Sequence, residues 1–179
     1  SRTGVLARAD YEVAGASEFM KQKASELGLG EVRGPADAGQ IKLLAQSGLG
    51  FSGNIDARAV GSGRGGYVDF GVGGDLLLAG SREASGYPAG VLASGTFESF
   101  GAESVLIGGS RSFVNGGVVV DVRSRSLTVD NQSAPLRGND VIFAATDRLS
   151  ILAGAAVLQT GSGVGDGMDL RLGDPSIAV

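Results

Sequence analysis

Along most of the chain an apolar residue is followed by another two positions on, and a second such pair comes after a short gap. The template reads Ile41, Leu43, Leu49, Phe51, then Val68, Phe70, Leu76, Leu78. It continues as Phe97, Ser99, Val105, Ile107, as Val119, Asp121, Leu127, Val129, and as Val141, Phe143, Leu149, Ile151. Each pair is a short strand with both side chains on one face, and the gap between pairs is room for one tight turn. A third apolar position follows in each copy, at Ile55, Val91, Phe113, Leu136 and Val157. Three strands and three turns per copy describe a coil of an all-β, right-handed parallel β-helix. A single coil cannot bury its apolar face, and stacked coils bury a continuous core.

Successive copies start 27, 29, 22 and 22 residues apart, counted from Ile41, Val68, Phe97, Val119 and Val141. The first two intervals need extra loop. The polar segment Ser81-Arg82-Glu83-Ala84-Ser85-Gly86-Tyr87-Pro88 is the clearest insertion, expected to project outward as a candidate binding loop. The fourth copy breaks the pattern. Asp121 falls where Leu43, Phe70 and Phe143 are apolar, while Val118, Val120 and Val122 alternate in the opposite phase. A slip of one residue reverses every side chain, so the three valines are expected to face inward and Asp121 outward, through a bulge.

The first forty residues differ. Ser17 is placed to cap a short helix, about residues 17–27, with Gly28 just past its end. Met20, Ala24 and Leu27 would share its apolar face, and Glu18 would pair with Lys21. Residues 28–39 read as loop. The expected organisation is therefore residues 1–40 as an extension packing on or capping the shaft, 41–161 as about five coils, and 162–179 as a truncated turn or partial coil.

Composition narrows the chemistry. The chain is 42% hydrophobic and 6% aromatic, with 32 Gly against 4 Pro, which suits short strands joined by turns. Glycines cluster where the chain must turn, as at Gly65, Gly66, Gly73, Gly74, Gly108 and Gly109, with Asn54, Asn115, Asn131 and Asn139 as further turn formers. Cys and His are both absent, which removes disulfides, thiolate ligands, imidazole ligands and His-containing triads. A net charge of -4 with no basic stretch gives nucleic acid little to bind, and no run is long enough to cross a bilayer. The start, Ser1-Arg2-Thr3-Gly4, has no initiator Met and no apolar signal segment, so the chain reads as a segment of something longer.

Several motifs repeat the look of a known family. They are Gly65-Gly66-Tyr67-Val68-Asp69-Phe70 with Asp75-Leu76-Leu77-Leu78-Ala79-Gly80, and the run Phe100-Gly101-Ala102-Glu103-Ser104-Val105-Leu106-Ile107-Gly108-Gly109-Ser110-Arg111. To these belong Leu127-Thr128-Val129-Asp130-Asn131 and Arg148-Leu149-Ser150-Ile151-Leu152-Ala153-Gly154-Ala155. Over roughly residues 40–160 the chain resembles the filamentous haemagglutinin family, large Gram-negative exoproteins exported by two-partner secretion. The resemblance implies a long β-helical fibre at the cell surface. Its partners would be an outer-membrane two-partner secretion transporter and a glycan or protein receptor on a host or bacterial surface. The fibre would serve attachment, or would carry a tip or toxin domain. The family's N-terminal secretion domain and export motif are not seen here, so an internal or distal shaft segment is expected.

Parallel β-helices also carry polysaccharide lyases and hydrolases, which work with clustered carboxylates. The candidates are Asp69, Asp75, Asp121, Asp130 and Asp140, with Asp121 near Asp69 or Asp140 on neighbouring coils. Sugar cleavage needs two carboxyls within roughly 5–10 Å. No Asp-Asp pair recurs at a strand end and aromatic platforms are few, so these residues read as solvated surface groups and turn formers. Gly161-Ser162-Gly163-Val164-Gly165-Asp166-Gly167-Met168-Asp169 loosely matches a Ca²⁺-binding Gly-Asp repeat, but one imperfect copy supplies too few oxygens. Gly61-Ser62-Gly63-Arg64-Gly65-Gly66 lacks the Lys-Ser/Thr ending of a phosphate loop. Arg123 and Arg125 are expected on a solvent face. The reading is a non-enzymatic shaft segment with no catalytic, cofactor-binding or metal-binding residue and no cofactor. A toxin-delivery shaft and a carbohydrate-active enzyme are the alternatives.

Overall fold

A computed structural model describes residues 15–29, 36–81, 90–161 and 170–172. The chain divides into two units, Ser1–Ala36 and Asp37–Val179. In the first, α1 spans Ala16–Glu26. Its N-cap is Gly15, so Ser17 lies inside the first turn rather than capping it. The C-terminus follows the expectation: Gly28 has φ +65°, its N–H bonds the Ser25 carbonyl, and the Leu29 N–H bonds the Ala24 carbonyl. That is a Schellman closure, for which a left-handed glycine is the natural residue. Ala24 is buried, but Met20 and Leu27 are exposed, so the proposed apolar face is not a buried stripe. The helix ion pair joins Lys23 to Glu26 rather than Glu18 to Lys21.

The second unit is all-β with parallel sheets. Its first sheet is built from β1 (Gln40–Ala45), β3 (Tyr67–Val72), β6 (Ser104–Ile107) and β11 (Asp140–Phe143), in that order and all parallel. The register aligns Ile41, Val68, Val105 and Val141 in one row and Leu43, Phe70, Ile107 and Phe143 in another. The second sheet runs β12 (Arg148–Ile151), β9 (Ser124–Asp130), β4 (Gly74–Ala79), β5 (Gly90–Ala93), β2 (Leu49–Gly50), again parallel. Here Leu76, Leu127 and Leu149 form one row and Leu78, Val129 and Ile151 the next. A third side carries Ile55 and Ala57, then a 3₁₀ turn Ser94–Phe100, then β10 (Leu136–Gly138) paired with β13 (Val157–Gln159).

The rows from the three sides meet in one core containing Val68, Phe70, Leu76, Leu78, Leu127, Val129 and Leu136. Edge-to-face contacts of Phe51 with Phe70 and Phe100, and of Phe70 with Phe97, fill its middle. At one corner Asn131 is buried and bonds both the N–H and the carbonyl of Ala156. It thus ties two successive passes of the chain together and does more than form a turn. Gly66 stands at another tight approach, where a β-carbon would come within 2.8 Å of the Gly39 carbonyl oxygen.

The strand register corrects the reading of the middle copies. Val105 and Ile107 align with Val68 and Phe70, not with Leu76 and Leu78. Val119 and Asp121 belong to neither the first nor the second sheet. The four passes through the first sheet therefore replace the five copies read from spacing. Two insertions break the fixed spacing. After β4 the chain returns to place β5 between β4 and β2, so Val91 pairs beside Leu77 instead of forming a third side. Phe97 then enters the core from the 3₁₀ turn, with Ser99 exposed.

The second insertion is an antiparallel hairpin, β7 (Gly109–Val114) and β8 (Gly117–Val122), between β6 and β9. Asn115 at φ 49° and Gly116 at φ 78° make its turn, and β14 (Leu170–Leu172) adds to β8 in parallel. Val118 and Val120 are buried, as the phase reversal predicted, and Asp121 is half-buried. Their destination differs from expectation. They pack with Leu106 and Ala144, with Val122 and Ile142 alongside, in a cluster separate from the main core. Leu106 and Ile142 alternate with core-facing Val105, Ile107, Val141 and Phe143, so the valines cover the outer face of the first sheet. A hairpin, not a bulge, produces the reversal. Phe113, expected on a third side, sits exposed near the hairpin tip. The insertion proposed at Ser81–Pro88 and the Ca²⁺-like segment fall, apart from Ser81 and Gly161, outside the described residues.

Candidate functional site

Asp69 points to the outer face of β3, between core-facing Val68 and Phe70. Its side chain is 0% exposed and that of Arg111, on β7, is 2% exposed. Arg111 Nε donates to Asp69 Oδ1 at 2.7 Å, and the Arg111 backbone N–H donates to Oδ2 at 2.8 Å. Gln40 Nε2 donates to the same Oδ2 at 3.0 Å and to the Arg111 carbonyl at 3.2 Å. Arg111 Nη1 donates to Ser104 Oγ at 2.6 Å, and the Ser104 hydroxyl donates to Asp140. The guanidinium also lies over the Tyr67 ring, 5.1 Å from its centroid. Arg111 Nη2 is buried with no hydrogen-bond partner among the described residues.

This network changes the status of the candidate carboxylates. Asp69 is not a solvated surface group. The hairpin covers it, and a carboxylate removed from water needs a paired cation and further donors. The structure brings Asp69 and Asp140 into one network through Arg111 and Ser104. Asp121 does not join it: its side chain, 38% exposed, accepts from Arg123 Nε at 2.7 Å. Asp75 accepts from Arg125 through both oxygens and from Ser126 Oγ at 2.7 Å. The Arg125 guanidinium and then the Ser126 hydroxyl hold the Asp75 carboxyl below its ordinary value. Asp130 is exposed, with Gln132 Nε2 at 3.5 Å. Arg123 and Arg125 are solvent-exposed, as expected, each engaged by an aspartate.

Asp69 Oδ1 accepts from Arg111 Nε, and Oδ2 accepts from the Arg111 backbone N–H and Gln40 Nε2. Among the described residues no group of three or more acidic, His or Cys side chains gathers to hold a metal ion. None of the described helices is long and apolar enough to cross a membrane.

Arg111, Ser104, Gln40 and Tyr67 were not singled out by their chemistry in the sequence. One signal was available. Val105-Leu106-Ile107 and Val141-Ile142-Phe143 are continuous apolar runs, which mark strands buried on both faces. Such a covered face implies that an aspartate on it, such as Asp69, needs a cationic partner. Comparison of the chain with protein-family models, curated proteins and solved structures finds no match.

Proposed function

We propose that the chain is a segment of a right-handed parallel β-helix and serves as part of the stiff shaft of a large secreted adhesin of the filamentous haemagglutinin type, at the surface of a Gram-negative bacterium. One observation carries this reading: four parallel strands place Ile41, Val68, Val105 and Val141 in one row and Leu43, Phe70, Ile107 and Phe143 in the next, with no shift of register. The first and fourth passes run from the first sheet to the second and then to the third side; the second pass adds β5 to the second sheet and the third adds the β7–β8 hairpin, and this recurring order is what a winding solenoid requires. Ladders of backbone hydrogen bonds and an apolar core continuous along the stack resist bending. A rod of this build holds attached domains away from the cell. Its partners would be the outer-membrane transporter that exports it and a glycan or protein receptor reached at a distance.

The test is immunogold microscopy of cells producing the parent protein, with antibody raised against this chain. Labelling along surface fibres, lost when the cognate outer-membrane transporter is deleted, is the expected result. Label confined to the cytoplasm would overturn it. So would release of unsaturated products from uronate polymers by the purified chain, abolished by Asp69→Ala or Asp121→Ala.

A further inference from the structure

The β7–β8 hairpin is inserted between strands that keep their places without it. β6 pairs with β3 and β11, and β9 pairs with β4 and β12. None of these ladders uses a hairpin residue. The hairpin's own ladders are internal and to β14. Its neck is closed below it: the N–H groups of Arg123 and Ser124 both donate to the Gly108 carbonyl, each at 2.8 Å. Gly108 has φ +109°, so the chain leaves the first sheet through a conformation reserved for glycine.

The hairpin is held down by the Asp69–Arg111 network with Gln40, by the edge-to-face contact of Phe113 with Tyr67, and by the small apolar cluster around Leu106 and Ala144. The network is an expensive fastening. It keeps two charges out of water and leaves Arg111 Nη2 without a partner among the described residues, and both charges regain hydration when it separates. The main core and the parallel ladders carry no such penalty.

We propose that the hairpin, with β14 on its edge, is a strap that opens from the first sheet as a unit. The Asp69–Arg111 pair is its latch and Gly108 its hinge. Opening uncovers the strip formed by Leu106, Ile142 and Ala144 while the parallel ladders stay paired.

The chain contains no Cys, so a single introduced thiol reports opening without background. Ala144→Cys places the probe beneath the strap, and Val129→Cys places one in the main core. In native buffer the strap probe should react with a small thiol reagent about tenfold or more faster than the core probe, because sub-global openings lie below global unfolding. Adding Asp69→Asn should speed the strap probe further and leave it ahead of the core probe. Equal rates at the two positions would mean that only global unfolding exposes either, and would overturn the proposal. An unchanged strap rate in Asp69→Asn would overturn the latch. Hydrogen exchange of the unmodified chain gives an independent reading. Amides of β7 and β8 should exchange with weaker denaturant dependence than those of β3, β6 and β9, and a common dependence would refute the strap.

Discussion

Asp69 and Arg111 lie 42 positions apart in the chain, yet they meet through two hydrogen bonds in a fully covered site. One bond comes from the guanidinium and the other from the Arg111 backbone. The carboxylate therefore recognises both the charge and the position of the strand that carries it. In the register of the first sheet, Asp69 is flanked by Lys42 and Leu106. It is the one place in that row where an arginine on β7 finds a carboxylate, which keys the hairpin to one position along a repetitive face.

Breaking this pair from one side leaves an uncompensated buried charge. Asp69→Leu or Arg111→Met should each lower stability by about 3–5 kcal/mol in urea unfolding, up to the ceiling at which the hairpin opens. The double variant Asp69→Leu, Arg111→Met removes both charges and should recover most of that loss. A double-mutant cycle showing additive losses would contradict this account.

Gly108→Ala combines two faults. The new β-carbon would press on the Ala144 carbonyl, and φ +109° is strained for any side chain. Backbone strain of this kind costs about 1–3 kcal/mol, and overpacking adds about 1–3 kcal/mol. The expected result is a lower urea midpoint with faster thiol labelling beneath the hairpin. Gly116→Ala, at the solvent-exposed turn with open space around it, should bear only the strain.

These sites show what the sequence made legible. The two-apart pairs located every strand of the first sheet except for the frame of its third member. Val68/Phe70 and Val141/Phe143 were placed correctly because their passes are uninterrupted through the first two sides. The frame of Val105/Ile107 is not legible from spacing because fourteen hairpin residues, Gly109 to Val122, separate them from Leu127/Val129, and a template of fixed spacing slides over such an insertion. The reversed phase of Val118, Val120 and Val122 was visible, but periodicity reports only that one face is apolar, not which surface it meets. Arg111 was unreadable for a related reason. A charge on a strand looks solvated until the covering layer is known, and Asp69 supplies its partner only once the hairpin folds back.

Asn131 offers a separate test at the corner between β9 and β10. Its amide satisfies both backbone groups of Ala156, so Asn131→Ala leaves a buried donor and acceptor without partners. Each unsatisfied group costs about 1–3 kcal/mol. Asn131→Asp keeps the acceptor, loses the Nδ2 donor and adds a buried charge, so at neutral pH it should be no better tolerated than alanine. Thermal unfolding of the two variants checks the ordering.

Asp75 sets part of the acid limb of stability. Its folded carboxyl titrates below the ordinary value because Arg125 and Ser126 bind the charged form. The stabilisation is therefore present above the unfolded carboxylate pKa of about 3.9 and is lost as pH falls through the lower folded value. Asp75→Asn should narrow the stability difference between neutral and strongly acidic solution, and added salt should shrink the effect, since the pair is partly exposed. An acid limb identical in variant and parent would assign that limb to other carboxylates.

Leu127 and Leu149 occupy the same row of the second sheet, in directly paired positions. Leu127 is 0% exposed and Leu149 is 48% exposed, because β12 is the edge strand and nothing in the described residues continues the row beyond it. Leu127→Ala opens a cavity in packed surroundings and should cost about 2–5 kcal/mol. Leu149→Ala removes a half-solvated side chain and should cost about 1 kcal/mol in this chain. The rod reading makes a further demand on this pair. In a longer segment of the parent protein, a following coil would stack on β12 and bury Leu149 as β12 buries Leu127. The cost of Leu149→Ala should then rise toward that of Leu127→Ala, while the cost of Leu127→Ala stays fixed. Urea unfolding of both variants in the short chain and in the extended segment gives four values. A Leu149→Ala cost that does not change with length would mean that no coil stacks there, and would remove the main physical reason for a continuous shaft.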